Sequence, residues 1–152
     1  MARFTDPTIS YSASSDNGTW IIEGGTSGTQ QPTFSGDPLF SGHYFVIGEL
    51  CHFAIDVDMD NIELFGDGQY YMKLPFATNH NIILSDGCLH DASTGDQYAI
   101  LGHVAEGSDI MNLFSIASNG KHVPFSDSDN LPIKLNQADS FHIAGVFEID
   151  HS

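Results

Sequence analysis

From His43 onward, apolar residues recur at every second position in one run after another. Phe45, Ile47, Cys51, Phe53, Ile55 and Val57 alternate with their neighbours, interrupted at Gly48 and Glu49, where a bulge or bend is expected. Tyr70, Met72, Leu74 and Phe76 repeat the pattern around Pro75, and Ile82-Ile83-Leu84 forms a short apolar run. Residues 97–104 and 109–117 are next, and Phe141, Ile143, Phe147 and Ile149 alternate again near the end. Successive side chains of a strand point to opposite faces, so period two predicts strands with one face buried. Between the runs stand turn signals: Gly66-Asp67-Gly68, Ser85-Asp86-Gly87, Thr94-Gly95-Asp96, Glu106-Gly107-Ser108 and Asn119-Gly120. No window sustains a helical period without a Gly or Pro. Several short strands joined by turns predict an all-β, antiparallel sandwich or jelly roll.

The first 42 residues read differently. They are rich in Ser, Gly, Thr and Pro, as in 12–19 and 23–29, which predicts turns and an extended arm. Trp20-Ile21-Ile22 is an apolar island within this stretch, so part of it should dock. The expected division is an N-terminal arm over 1–30 and a β domain over 31–152. The arm is the candidate anchor to a neighbouring protein, through Arg3, Phe4, Ile9, Tyr11 and Trp20.

Two runs are apolar on both faces: Tyr98-Ala99-Ile100-Leu101, and Ile110-Met111 with Leu113-Phe114. In a sandwich one face of each strand meets the core and the other meets solvent. Something should therefore cover the second face: another subunit, the N-terminal arm, or loops. The candidate subunit interface is Tyr44, Tyr98, Ile100, Met111 and Leu113.

Charge narrows the partners. Twenty acidic residues face four basic ones, for a formal net charge of −16 in 152 residues. Nucleic acid binding needs clusters of Lys and Arg, and Arg3, Lys73, Lys121 and Lys134 lie far apart. An anionic membrane surface is disfavoured for the same reason. Self-association must bring acidic surfaces together, so salt or a divalent cation should help it. No secretory signal is recognisable at the N-terminus, and no run has the length of a membrane span.

Cys51 and Cys88 each sit in an apolar run and are expected to be free thiols, with a single bridge as the alternative. Asp56, Asp58 and Asp60, with Asp67 further on, have the spacing of positions one, three, five and twelve of a calcium loop. Asn61 stands where that loop needs Gly, and the flanks read as strands, so a solvated strand end is the competing reading. Zinc lacks any Cys-x-x-Cys or His-Glu-x-x-His spacing, and Cys51 and His52 should face opposite sides of one strand. There is no Gly-x-Ser-x-Gly elbow, P-loop or dinucleotide fingerprint, and the chain is expected not to be an enzyme.

One stretch resembles a known family. Ser41-Gly42-His43-Tyr44-Phe45-Val46-Ile47-Gly48-Glu49-Leu50-Cys51-His52-Phe53 is similar to the pattern Ser-Gly-x-Tyr-x-x-Ile-Gly-x-Leu-x-x-Phe of bacteriophage fibre and appendage proteins. The upstream Gly18-Thr19-Trp20 and the later Tyr71-Met72-Lys73-Leu74-Pro75-Phe76 resemble their companions. The resemblance covers residues 18–76 well and the rest loosely. It implies a jelly roll like the heads of the tumour-necrosis-factor and complement class, associating as a homotrimer. Its expected place is the virion, after synthesis in the host cytoplasm. Fibre proteins carry long upstream shafts and this sequence shows a short arm, so the expected function is a trimeric decoration protein that binds the major capsid protein, or another virion protein, and stabilises the head shell. The alternative is the tip of a tail or head fibre that recognises a host-surface glycan. A free-standing carbohydrate-binding module or hydrolase accessory is a third reading.

Overall fold

The computed structural model describes residues 22–151, together with the backbone of 18–19. Twelve strands and no helix occur among them. They are β1 (Gly18–Thr19), β2 (Gly24–Thr26), β3 (Thr33–Phe34), β4 (Leu39–Ile47), β5 (Leu50–Asp58), β6 (Ile62–Leu64), β7 (Tyr70–Lys73), β8 (Ile82–His90), β9 (Gln97–Val104), β10 (Ile110–Ile116), β11 (His122–Pro124) and β12 (Ser140–Glu148).

Ten of them form one antiparallel sheet in the order β1-β4-β5-β12-β8-β9-β10-β7-β2, with β11 on β10; β3 and β6 pair separately. The sheet curls until its halves face each other across one core, an all-β arrangement of the sandwich or jelly-roll type expected. Phe53, Ile55 and Val57 of β5 and Ile143 and Phe147 of β12 share that core with Ile100, Met111 and Leu113 from the opposite half. The last strand in sequence lies at the centre of its half, paired with β5 on one side and β8 on the other. Its alternation explains the placement: Phe141, Ile143 and Phe147 are buried while His142 and Val146 are exposed.

The outermost strands β1 and β2 are close neighbours in the chain. Thr19 and Gly24 are five residues apart, a reach of at most about 18 Å, so the two edges of the curl lie within that distance of each other. From the first 30 residues, Gly18–Thr19 and Gly24–Thr26 are thus docked on the sheet as its edge strands.

Two local expectations are corrected. Gly48 and Glu49 do not form a bulge within one strand; they are the two-residue turn of the β4–β5 hairpin, which pairs Ile47 with Leu50. Gly48 has φ of 60°, the left-handed conformation such turns require. Conversely, Ser85-Asp86-Gly87 is not a turn between strands. It lies inside β8, where Ser85 and Asp86 together oppose the single residue Leu101, a β-bulge.

Buried acids do structural work at the ends of strands. Asp139 accepts the N–H groups of Ala92 (3.0 Å) and Asn136 (2.9 Å). Asp127 accepts from the Leu135 N–H (2.8 Å) and the Lys134 ammonium (2.6 Å).

Candidate functional site

A hollow opens beside the edge strand β2, between β7 and the segment around β3. Pro32, Phe34, Pro38 and Phe40 wall one side, Tyr70, Tyr71 and Met72 of β7 another, and Val57, Met59, Ile62, Leu113, Phe125 and Phe141 the floor. Its volume is about 480 Å³. Aromatic contacts hold the floor in shape: Tyr70 and Phe125 have ring centroids 5.0 Å apart, and Phe125 and Phe141 5.6 Å, both edge-to-face. The Tyr70 hydroxyl donates to the Phe65 carbonyl at 2.6 Å. Burial, and then the nearby Asp127, raise its pKa far above the ordinary phenol value, so it stays a neutral donor.

At the mouth, Lys73 and Glu23 pair at 3.2 Å, and Glu23 raises the lysine's pKa through that contact. They are the single cation and the single carboxylate among the described lining residues. Gln31 braces the rim: its amide donates to the carbonyls of Thr26 (2.8 Å) and Gly28 (3.1 Å) and accepts the Thr26 N–H (2.9 Å). The lining offers apolar surface, a neutralised ion pair and a few hydrogen-bonding groups. It does not offer the two facing carboxylates of a glycosidase.

A second feature is the outer face of β9, β10 and β11. Ile110 and Ile116 are exposed, Phe114 is half-buried, and His103 stacks on Phe114 at a ring distance of 4.0 Å. His103 Nε2 and His122 Nδ1 lie 3.0 Å apart, one donating to the other. Burial, and then His122, lower the pKa of His103.

The five residues expected at a subunit interface all point the other way. Ile100, Met111 and Leu113 have no exposed surface and belong to the core of the single chain. Tyr44 and Tyr98 are half-buried and pack inward; Tyr44 meets Phe76 edge-to-face at 5.4 Å. The reason is the pattern itself: with apolar residues on both faces, period two defines two faces without saying which is inside. The outward partners of the same runs are Leu101, Ile110 and Phe114.

The structure does not gather the expected calcium ligands. Asp56 and Asp58 are exposed on β5, and Asp58 accepts the Asp60 N–H at 3.0 Å in the turn that follows. Asp67 lies beyond β6 and is committed to the Gln30 N–H at 2.7 Å. No group of three or more His, Cys, Asp or Glu side chains able to hold a metal occurs among the described residues. Cys51 and Cys88 are both free. Cys51 is fully buried, and burial pushes its thiol up to about 12. Cys88 lies on the opposite face of the sheet, with Sγ 2.8 Å from Gln97 Oε1. The arm candidates Arg3, Phe4, Ile9, Tyr11 and Trp20 lie outside the described residues.

The cavity escaped the sequence reading because its walls come from separated stretches with no shared motif. The outer face carried a signal, its two-sided apolar runs, but that signal left the direction of each side chain open.

No protein-family model matches the chain, and no curated protein matches it. Among solved structures, the chain is similar to the crystal structure of the Dettilon tailspike protein, with a TM-score of 0.60 at 12% identity. The match covers 88% of this chain and 24% of the tailspike chain. At that identity the likeness is one of fold, and this chain spans about a quarter of the tailspike's length.

Proposed function

We propose that this chain is a structural protein of a bacteriophage particle, a β domain carried at the tail as part of a spike or fibre and acting as an assembly of copies. The observation that carries the reading is the shared fold with a tailspike over nearly the whole of this chain. The appendage-like motifs around Gly42-His43-Tyr44 and Leu74-Pro75-Phe76 point to the same class. A rigid curled sheet with a tight hairpin and a well-packed core suits display at a particle surface, and the role asks no catalysis of it. The ligand class for such a domain is a host-surface glycan. Trimers bound to the major capsid protein are the rival arrangement, and what supports the tail over the shell is that the structural likeness is to a tailspike.

Purified particles labelled with an antibody to this chain, together with its copy number by quantitative mass spectrometry, test the reading. Label at the tail and a few to a few tens of copies are expected. Label over the whole head with hundreds of copies would replace the spike reading by decoration, and absence from purified particles would end both.

A further inference from the structure

We propose that copies of this chain associate through the outer face of β9, β10 and β11, packing Ile110, Phe114 and Ile116 of one copy against the same face of the next. The inference rests on the assembly part of the reading above and adds where the contact lies.

Three observations carry it. The first is exposure: Ile110 and Ile116 leave 39% and 45% of their surface in water, and Ile83, on the neighbouring β8 and opposite His103, leaves 57%. On β9 and β10 these are the outward members of the runs whose inward members fill the core. The second is order. Leu101 faces outward opposite Phe114 and is nevertheless buried, outside the main core cluster. His103 bridges Phe114 by stacking and His122 by a hydrogen bond. Leu101, His103, Phe114 and His122 are thus held by contacts within the face, so little of their conformational freedom is lost when a partner lands on it.

The third observation is charge, and it names the partner. No residue of β9, β10 or β11 is acidic, although the chain has twenty acids. The outer face of the opposite half carries Asp56, Asp58 and Glu148 among its exposed apolar residues. Around a symmetry axis, residues close to the axis meet their own counterparts. Two opposed carboxylates at contact distance repel by about 1 kcal/mol in water and by more once water is excluded. A chain of −16 can therefore meet itself with less repulsion over β9, β10 and β11, which hold no carboxylate, although Asp86 of the β8 bulge lies exposed opposite Leu101. A basic partner would choose the acidic surfaces and gain nothing here. His103, whose pKa burial and then His122 lower, adds no charge to this face near neutral pH.

Sedimentation of the full chain over a wide concentration range tests the proposal, comparing wild type, the double variant I110D/I116D, and V146D on the opposite outer face. The wild type and V146D are expected to rise above the monomer mass with concentration, and the double variant to stay monomeric with an unchanged circular dichroism spectrum. A wild type that stays monomeric, a double variant that associates like the wild type, or a V146D variant that dissociates equally overturns it. If the double variant misfolds, hydroxyl-radical footprinting of the wild type decides: oxidation of Phe114 and Ile116 should fall severalfold as concentration rises, and unchanged oxidation rejects the interface. A monomer found on particles would sink this interface and leave the particle reading standing. A self-associating chain absent from particles would do the reverse.

Discussion

Asp139 shows how much of this fold hangs on single polar groups at strand ends. Its carboxylate is 1% exposed and accepts two backbone N–H groups, one in the turn after β8 and one just before β12. It thereby ties the entry of the last strand to a turn 47 residues away. Hydrogen bonds to a charged acceptor contribute about 1.5–3 kcal/mol each, and a buried donor left unpaired adds its own desolvation cost. Asp139→Ala is therefore expected to lose about 3 kcal/mol, seen as a lower urea midpoint with an unchanged slope; a midpoint within error of wild type would mean that water replaces the carboxylate at no cost. His103 makes the residue scale visible as pH dependence. Burial and His122 hold its folded pKa below the ordinary value of 6.5. The unfolded chain then binds a proton at a pH where the folded chain does not. The stability tied to this ring is whole above about pH 6.5 and is lost as pH falls from there through the lowered folded value. Between about pH 7 and pH 5.5, the melting temperature of His103→Gln should fall less than that of wild type. Parallel curves would show that the ring titrates alike in both states.

At the scale of elements, the decisive irregularity is the bulge in β8. Gly87 sits directly after it, in register with Ile100 on β9 and Ile143 on β12. A Cβ added at Gly87 would lie 2.4 Å from the Ile100 carbonyl oxygen, which as backbone cannot swing aside. Gly87→Ala is expected to cost about 1–3 kcal/mol by overpacking, read by urea denaturation. A neutral result would mean that β8 shifts on β9 freely, contrary to the pairing of Gly87 with Ile100. The same strand shows why local signals misled. Ser85-Asp86-Gly87 has the composition of a turn, yet neighbours on both sides hold it in the sheet. Gly48-Glu49 has the look of an interruption, yet it reverses the chain. Composition reports that the backbone departs from regularity, and the paired strands decide whether the departure is a turn or a bulge. The all-β class was legible because alternation at Phe53, Ile55 and Val57, or at Phe141 and Ile143, needs no knowledge of neighbours. The inward or outward direction of Ile100 against Leu101, and of Leu113 against Phe114, was not legible. Both members of each pair are apolar, and only the curl of the whole sheet chooses between them.

At the scale of the whole molecule, the excess of acid sets the terms. Twenty acidic residues and four basic ones belong to one chain of 152 residues, and Lys73 and Lys134 are drawn into ion pairs with Glu23 and Asp127. The remaining negative charges repel across the sheet faces, and that repulsion is felt more in the folded chain than in the expanded one. Screening shortens its reach to about 10 Å at 0.1 M salt, so the melting temperature should rise as sodium chloride is added from low ionic strength. Divalent cations separate this diffuse effect from a built site. Asp56 and Asp58 stand exposed on a strand, Asp60 follows in a turn, and Asp67 is engaged elsewhere. An arrangement so spread out offers a cation no cage of oxygens of the kind calcium takes. Calcium and magnesium at matched ionic strength should therefore raise the melting temperature equally. A larger rise with calcium, abolished in Asp58→Asn, would show that assembled copies complete a site that one chain leaves open. That outcome would also make the cation, rather than the absence of acid on β9, β10 and β11, the means by which this polyanion meets itself.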